Sequence, residues 1–223
     1  MTEQPDVPLA VRAQMLATEH WSLLATRSQT WSEVMGRISA QFTFASASLV
    51  VLALSLQVVG MNNTFRLLAV WLALAVLLTG SLTALRVRNA SQEDMLLVVG
   101  MNRLRAAYVA MDPTIAQYLV TGWTDDEAGV TQTYAMGFAR HPLAHVFASA
   151  LVFTGTVNAI VAAGLGAVIA DAAGTRGWVT PVISCVAGVA YFLVVVYPAH
   201  RGYRQTTRSF TVRFPPPGHA PTD

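Results

Sequence analysis

Lysine is missing from this chain altogether, so its fourteen cationic side chains are all arginine. Cysteine is almost missing: Cys185 stands alone, which excludes an internal disulfide and any cysteine-based metal site. Its place inside an apolar run makes it a small apolar packer. Charge is sparse, at 12% of 223 residues, where a soluble domain carries about 25%. The sequence also contains no Walker or zinc motif and no nucleophile–base pattern. Gly100-Met-Asn-Arg103 lacks the glycine spacing that cradles phosphate. These absences lead to the expectation that the chain is not an enzyme and holds no cofactor.

What is present is apolar. Hydrophobic residues make up 54% and the mean hydropathy is +0.48. The enrichment is local. One run covers Gln41 to Phe65, a second Leu67 to Leu85, a third Leu143 to Ala170 and a fourth Trp178 to Ala199. A helix of about 20 apolar residues crosses the roughly 30 Å hydrocarbon layer. The sequence therefore predicts an all-α, polytopic membrane protein with four transmembrane helices and a helical cytoplasmic layer. The third run is longer than a span needs, so it is expected to tilt or to extend past the bilayer. The first run follows forty residues that include Glu3, Asp6, Glu19 and Glu33. It is expected to be a retained span, since a cleaved leader opens with a short basic segment.

The arginines set the expected orientation. Arg12, Arg27 and Arg37 precede span one. Arg86, Arg88, Arg103, Arg105 and Arg140 lie between spans two and three, and Arg201, Arg204, Arg208 and Arg213 follow span four. Only Arg66 and Arg176 fall in the two short opposite loops. Positive residues stay in the cytoplasm, so both termini are expected there, in a multi-pass protein of the plasma (inner) membrane. Arginine at membrane edges meets anionic headgroups, so membrane lipids are expected partners and the net charge of +2 requires no nucleic acid. The organisation that follows is a cytoplasmic N-terminal helix over 1–40, a hairpin over 41–86, a cytoplasmic helical segment over 87–142, a second hairpin over 143–199 and a tail over 200–223.

The cytoplasmic parts read as helices. Residues 9–40 lack proline and repeat Leu9, Leu16 and Leu23 at spacings of seven, with Leu24, Trp31 and Ile38 one position on. A drifting stripe of this kind suits a straight helix packed along one face. No breaker separates it from span one, which predicts one helix from near Leu9 to near Val59; an interfacial helix anchored by Trp21 and Trp31 is the alternative. Ser91 with Asp94 three residues on predicts a helix start, and Leu97, Met101, Leu104, Tyr108 and Met111 predict its apolar face. Asp112-Pro113 opens a short helix holding Ile115, Tyr118 and Leu119, with Asp at the cap and Pro at the first position. Gly122 ends it. Thr124-Asp-Asp-Glu127 predicts a capped helix through about Ala139, and the tail from Pro215 is expected to be extended.

Few residues in the spans carry chemistry. Asn158 lies near the centre of the third run, with Thr154 one turn before it. A polar amide at that depth needs a partner. It either lines a pore or bonds a neighbouring helix. Ser46, Ser48, Ser55 and Gln57 in span one, and Thr79, Ser81 and Thr83 in span two, are further polar candidates. Gly155, Ala159 and Ala163, and likewise Ala162, Gly166 and Ala170, are spaced four apart, so this span is expected at the bundle centre or at a subunit interface. No charged residue sits in the middle of a span, which argues against a proton-coupled pump but leaves a passive pore open. His145 and His200 fall near the cytoplasmic boundary of spans three and four. They are weak candidates for haem or metal; hydrogen bonding at the boundary is the plainer role. Asp125, Asp126 and Glu127 read as helix-capping residues rather than cation ligands.

The segments His20 to Ser28, Val99 to Arg105, Tyr118 to Gly122 and Asp125 to Glu127 carry a resemblance to a family of uncharacterised four-span bacterial membrane proteins of the actinobacterial type. The resemblance covers roughly residues 17–140 and implies the fold but brings no activity with it. The chain also resembles SLATT-type membrane domains, in which one helix precedes and another follows a membrane hairpin and which are thought to act as pore-forming effectors. It departs from them by adding a second hairpin.

These features favour a homo-oligomeric passive ion channel, with a non-catalytic scaffold or accessory subunit as the alternative. In one, identical subunits form a closed ring, with span one or span three lining a passive ion channel. In the other, the protein is a non-catalytic scaffold or accessory subunit whose cytoplasmic helices dock a protein partner, the stripe from Leu97 to Met111 remaining exposed until that partner covers it.

Overall fold

A computed structural model describes residues 7–136, 149–209 and 211–216, the side chains of 199–209 excepted. Every regular element among the described residues is helical. Helix α1 runs over Leu9–Val59 and α2 over Asn63–Met111. A 3-10 helix over Pro113–Tyr118 follows, then α3 over Glu127–Ala135, α4 over Ala150–Ala172 and α5 over Val179–Ser209. Four of these are long and apolar enough to cross a bilayer: α1, α2, α4 and the Val179–Pro198 part of α5. The chain is therefore a polytopic helical membrane protein.

Local chemistry accounts for the helix ends. Gly60 closes α1 at φ +67°, with its N–H donating to the Leu56 carbonyl at 3.0 Å. Glycine takes this left-handed conformation without the steric penalty of a Cβ. The Asn62 side chain then accepts from the Phe65 N–H at 2.8 Å and caps α2. Ser149 caps α4 through the Val152 N–H, and Asp112 caps the 3-10 helix with Pro113 behind it, as its sequence predicts.

Three expectations are corrected. Ser91 starts no helix, because α2 continues unbroken from Asn63 to Met111. No proline interrupts this stretch, and the Asp94 side chain is taken up by tertiary partners rather than by a helix end. Thr124 is not the cap of α3. Asp126 is, accepting from the Gly129 N–H, while the Thr124 hydroxyl donates to Asp126. Helix α3 also stops at Ala135, with Met136 left-handed, short of Ala139, which lies outside the described residues. The single helix expected from Leu9 to Val59 is observed.

The chain divides into two compact units. The first takes residues 1–31, 91–141 and 204–223, and the second takes 32–90 and 142–203. In the first, Met95, Val98, Val99 and Met101 of α2 are buried with Val130 of α3, and Leu23 and Tyr134 pack against them. Of the stripe expected to await a partner, only Met101 is buried, while Leu97, Leu104, Tyr108 and Met111 stay half-buried. In the second, α2 and α4 are central: 28% of the spanning stretch of each is buried, against 6% in α1 and α5. Ion pairs mark its two ends. Arg66 pairs with Asp171 at 2.8 Å beside the interhelix turns, and Glu33 holds Arg37 and Arg86 at 2.8 and 2.9 Å at the other. Arg66 and Arg86 are twenty residues apart on α2, or about 30 Å at 1.5 Å per residue, which matches the hydrocarbon thickness.

Candidate functional site

Inside the second unit, four helices meet at one polar cluster. Gln41 of α1 donates from Nε2 to Oδ1 of Asn158 on α4 at 2.6 Å. Asn158 Nδ2 donates to the Tyr191 hydroxyl of α5 at 3.2 Å. Tyr191 and Ser81 of α2 share a hydrogen bond of 2.8 Å, and Ser81 donates to the Leu77 carbonyl at 2.6 Å. Ser81 has one proton and spends it on Leu77, so Tyr191 donates to Ser81. The donors therefore all run one way, from Gln41 to Leu77. Gly80 makes the meeting possible, since a Cβ there would collide with the amide of Asn158 and with Gln41 Nε2. Asn158 is fully buried and Gln41 is 4% exposed, so the bonds form away from bulk solvent.

The candidate residues part company here. Asn158 and Thr154 are both buried at this cluster. Ser55 is half-buried and Gln57 exposed, farther along α1, and no hydrogen bond ties either to it. Along α4, Gly155 lies against Phe192, Val195 and Val196, Gly166 against Ala187, and Ala159 and Ala163 against Gly188. The small-residue face is thus used on α5 of the same chain. His145 lies outside the described residues, and His200 is described only as backbone within α5. Among the described residues no group of three or more possible metal ligands gathers. Gln41 and Tyr191 were missed by sequence reasoning. The spacing of seven between Gln41, Ser48 and Ser55 is a signal that could have found the first.

The first unit has its own network. Asp94, 3% exposed, accepts from Arg27 Nε at 2.6 Å, from Trp31 Nε1 at 2.8 Å and from the Tyr134 hydroxyl at 2.7 Å. The Arg27 guanidinium also lies 5.8 Å from the Tyr134 ring centroid, within cation–π range. Burial works against the Arg27 charge, but the bond to Asp94 overcomes it and raises its proton affinity. Asn102 is fully buried. It donates to the Thr124 carbonyl and accepts from Thr133 and Arg105. His20 stacks on Tyr108 with centroids 6.0 Å apart. Burial, then the charge of Arg105, lowers its pKa below the ordinary imidazole value.

Asp125 is the most enclosed of these acids, with no exposed surface. Burial pushes its carboxyl up. The Arg213 N–H, the Arg103 guanidinium at 2.8 Å and the Phe214 N–H at 2.8 Å together outweigh that and hold it below the usual carboxylate range. The Arg103 guanidinium also donates to the Thr211 carbonyl, and Asp125 N–H to the Phe214 carbonyl. Asp125 therefore fastens the chain segment at 211–214, and its oxygens are committed to these donors. This corrects its reading as a capping residue. Asp126 does the capping, and Glu127 is exposed.

The segments His20 to Ser28, Val99 to Arg105, Tyr118 to Gly122 and Asp125 to Glu127 lie in this first unit. They supply His20, Arg27, Asn102, Arg103, Arg105, Gly122 and Asp125 to its contacts. Chemically both networks are lattices of donors and acceptors, suited to holding helices in register. No protein-family model, curated protein or solved structure matches the chain.

Proposed function

We propose that the protein is a non-catalytic membrane scaffold or accessory subunit whose first unit docks a protein partner on the cytoplasmic side of the inner membrane. The observation that supports this reading is the use of Asn158. This amide, the polar group best placed by sequence to line a conduit, spends both its ends on Gln41 and Tyr191 of its own chain. The small residues of α4 are likewise taken up by α5. The twelve arginines that share one side of the four spans support cytoplasmic termini.

A second reading, the homo-oligomeric passive channel, draws support from the uncovered faces of α1 and α5, where a neighbouring copy has room to pack. Native mass spectra of the detergent-purified protein, paired with ion flux in proteoliposomes, separate the two. The scaffold reading expects a monomer or dimer and flux no greater than in protein-free vesicles. A closed ring of four or more copies that passes ions replaces it with the channel.

A further inference from the structure

Two buried polar atoms beside the four-helix cluster have no hydrogen-bond partner within the chain: Oε1 of Gln41 and Oγ1 of Thr154. Thr154 is fully buried and Gln41 nearly so. A hydroxyl in a helix has a ready partner in the carbonyl four residues back. Ser48, Ser81, Thr83, Thr156 and Ser184 all use it, and Thr154 does not. The two orphans lie at one level of the second unit. Gln41 bonds Asn158, one turn after Thr154 on α4. The neighbour of Gln41, Phe42, packs its ring 5.3 Å from that of Phe153, the residue before Thr154. Contacts at positions 153 and 158 thus bracket Thr154 against the turn of α1 that carries Gln41.

We propose that a single structural water binds between Thr154 and Gln41. One atom is an amide carbonyl that needs a donor, and the other belongs to a hydroxyl that needs an acceptor. Water supplies both, and a buried water is held by two to four such partners. A monovalent cation does not suit the pair, because two neutral oxygens fall far short of an ion's coordination shell. The hydrogen-bond directions fit as well. Thr154 O–H donates to the water, which donates to Gln41 Oε1. Gln41 N–H donates to Asn158, and the sequence continues through Tyr191 and Ser81 to the Leu77 carbonyl. Every donor then points the same way, an arrangement in which hydrogen bonds strengthen one another. The amides of Gln41 and Asn158 do not readily exchange protons, so the chain orders helices and does not conduct protons.

Water-to-protein magnetisation transfer in solid-state NMR of the full-length protein in lipid bilayers tests this. The expected result is a long-lived water cross-peak to the Thr154 methyl and the Gln41 side-chain amide, stronger than to Phe153 or Ala162. The cross-peak to the Gln41 side-chain amide should persist in Thr154→Ser and disappear in Thr154→Val. Absence of the cross-peak in the unaltered protein overturns the proposal. Thermal unfolding in mild detergent gives a second reading by its sign. Thr154→Val lowers the midpoint if the hydroxyl holds a water, and raises it if the hydroxyl is an unpaired buried group, in which case the site is dry and the proposal fails.

Discussion

Gly80 and Asn158 claim the same volume: a methyl group on the first would sit inside the side-chain amide of the second. Asn158 cannot swing aside without giving up Gln41 or Tyr191. Gly80→Ala is therefore expected to destabilise the protein by about 1–3 kcal/mol, the usual cost of overpacking a filled interior. Denaturant titration followed by helix circular dichroism in a mild detergent measures it, and an unchanged midpoint would show that the cluster yields freely.

The Gln41–Asn158 bond has a measurable strength of its own. A double-mutant cycle with Gln41→Leu and Asn158→Leu should give a coupling of about 0.6 kcal/mol, the average for polar contacts between membrane helices, and no more than about 1.7 kcal/mol, their maximum. A coupling near zero would mean that the two amides act independently.

Asp94 and Glu33 both pair with arginine but in different surroundings. Asp94→Ala removes a buried acceptor from Arg27, Trp31 and Tyr134. Arg27 keeps 31% of its side chain exposed, so water softens the loss, and about 3 kcal/mol is expected, the low end for a broken buried pair. Glu33→Ala removes an exposed partner of Arg37 and Arg86 and is expected to change stability little. Equal effects from the two would sink the distinction.

Asp125→Asn weakens the hydrogen bonds from three donors at once, Arg103, Arg213 and Phe214, and should release the segment at 211–214. The expected readout is faster protease cleavage within residues 209–216, with a stability loss of roughly 1.5–3 kcal/mol, the worth of one hydrogen bond to a charged group. Cleavage at the rate of the unaltered protein would show that other contacts hold the segment.

Acid should act in two steps. The folded pKa of His20 is lowered, so the unfolded chain binds a proton more readily, and stability falls as pH drops below about 6.5. His20→Gln should flatten that step. Asp125 has a lowered folded pKa too, but as an acid its contribution is full above about pH 3.9 and is lost as pH falls through the folded value. Midpoints measured from pH 8 to pH 3 for both variants assign the two steps.

Much of the fold could be read from the sequence because it depends on composition over long stretches. Four apolar runs gave four spans, and the lack of proline from Leu9 onward gave a single long α1. What sequence reading misplaced depends on distant partners. Asp94 after Ser91 has the spacing of a helix cap, yet its partners lie on α1 and α3. Asp125 and Asp126 are neighbours of one chemical type. Only the second caps a helix, because the backbone 88 residues on claims the first. Asn158 stood out as an amide in an apolar run. Its partner Gln41 sits where such a run begins and reads as a boundary residue, while Tyr191 reads as apolar filler.

Cys185 is the chain's lone thiol; it is not packed away as a small apolar residue but exposed on the spanning part of α5. A nitroxide attached there labels the unmodified protein at one point per copy. Dipolar spectroscopy in lipid nanodiscs would then give copy-to-copy distances directly: a single spin shows no dipolar coupling, a pair shows one distance, and a closed ring shows the set of chords fixed by its symmetry.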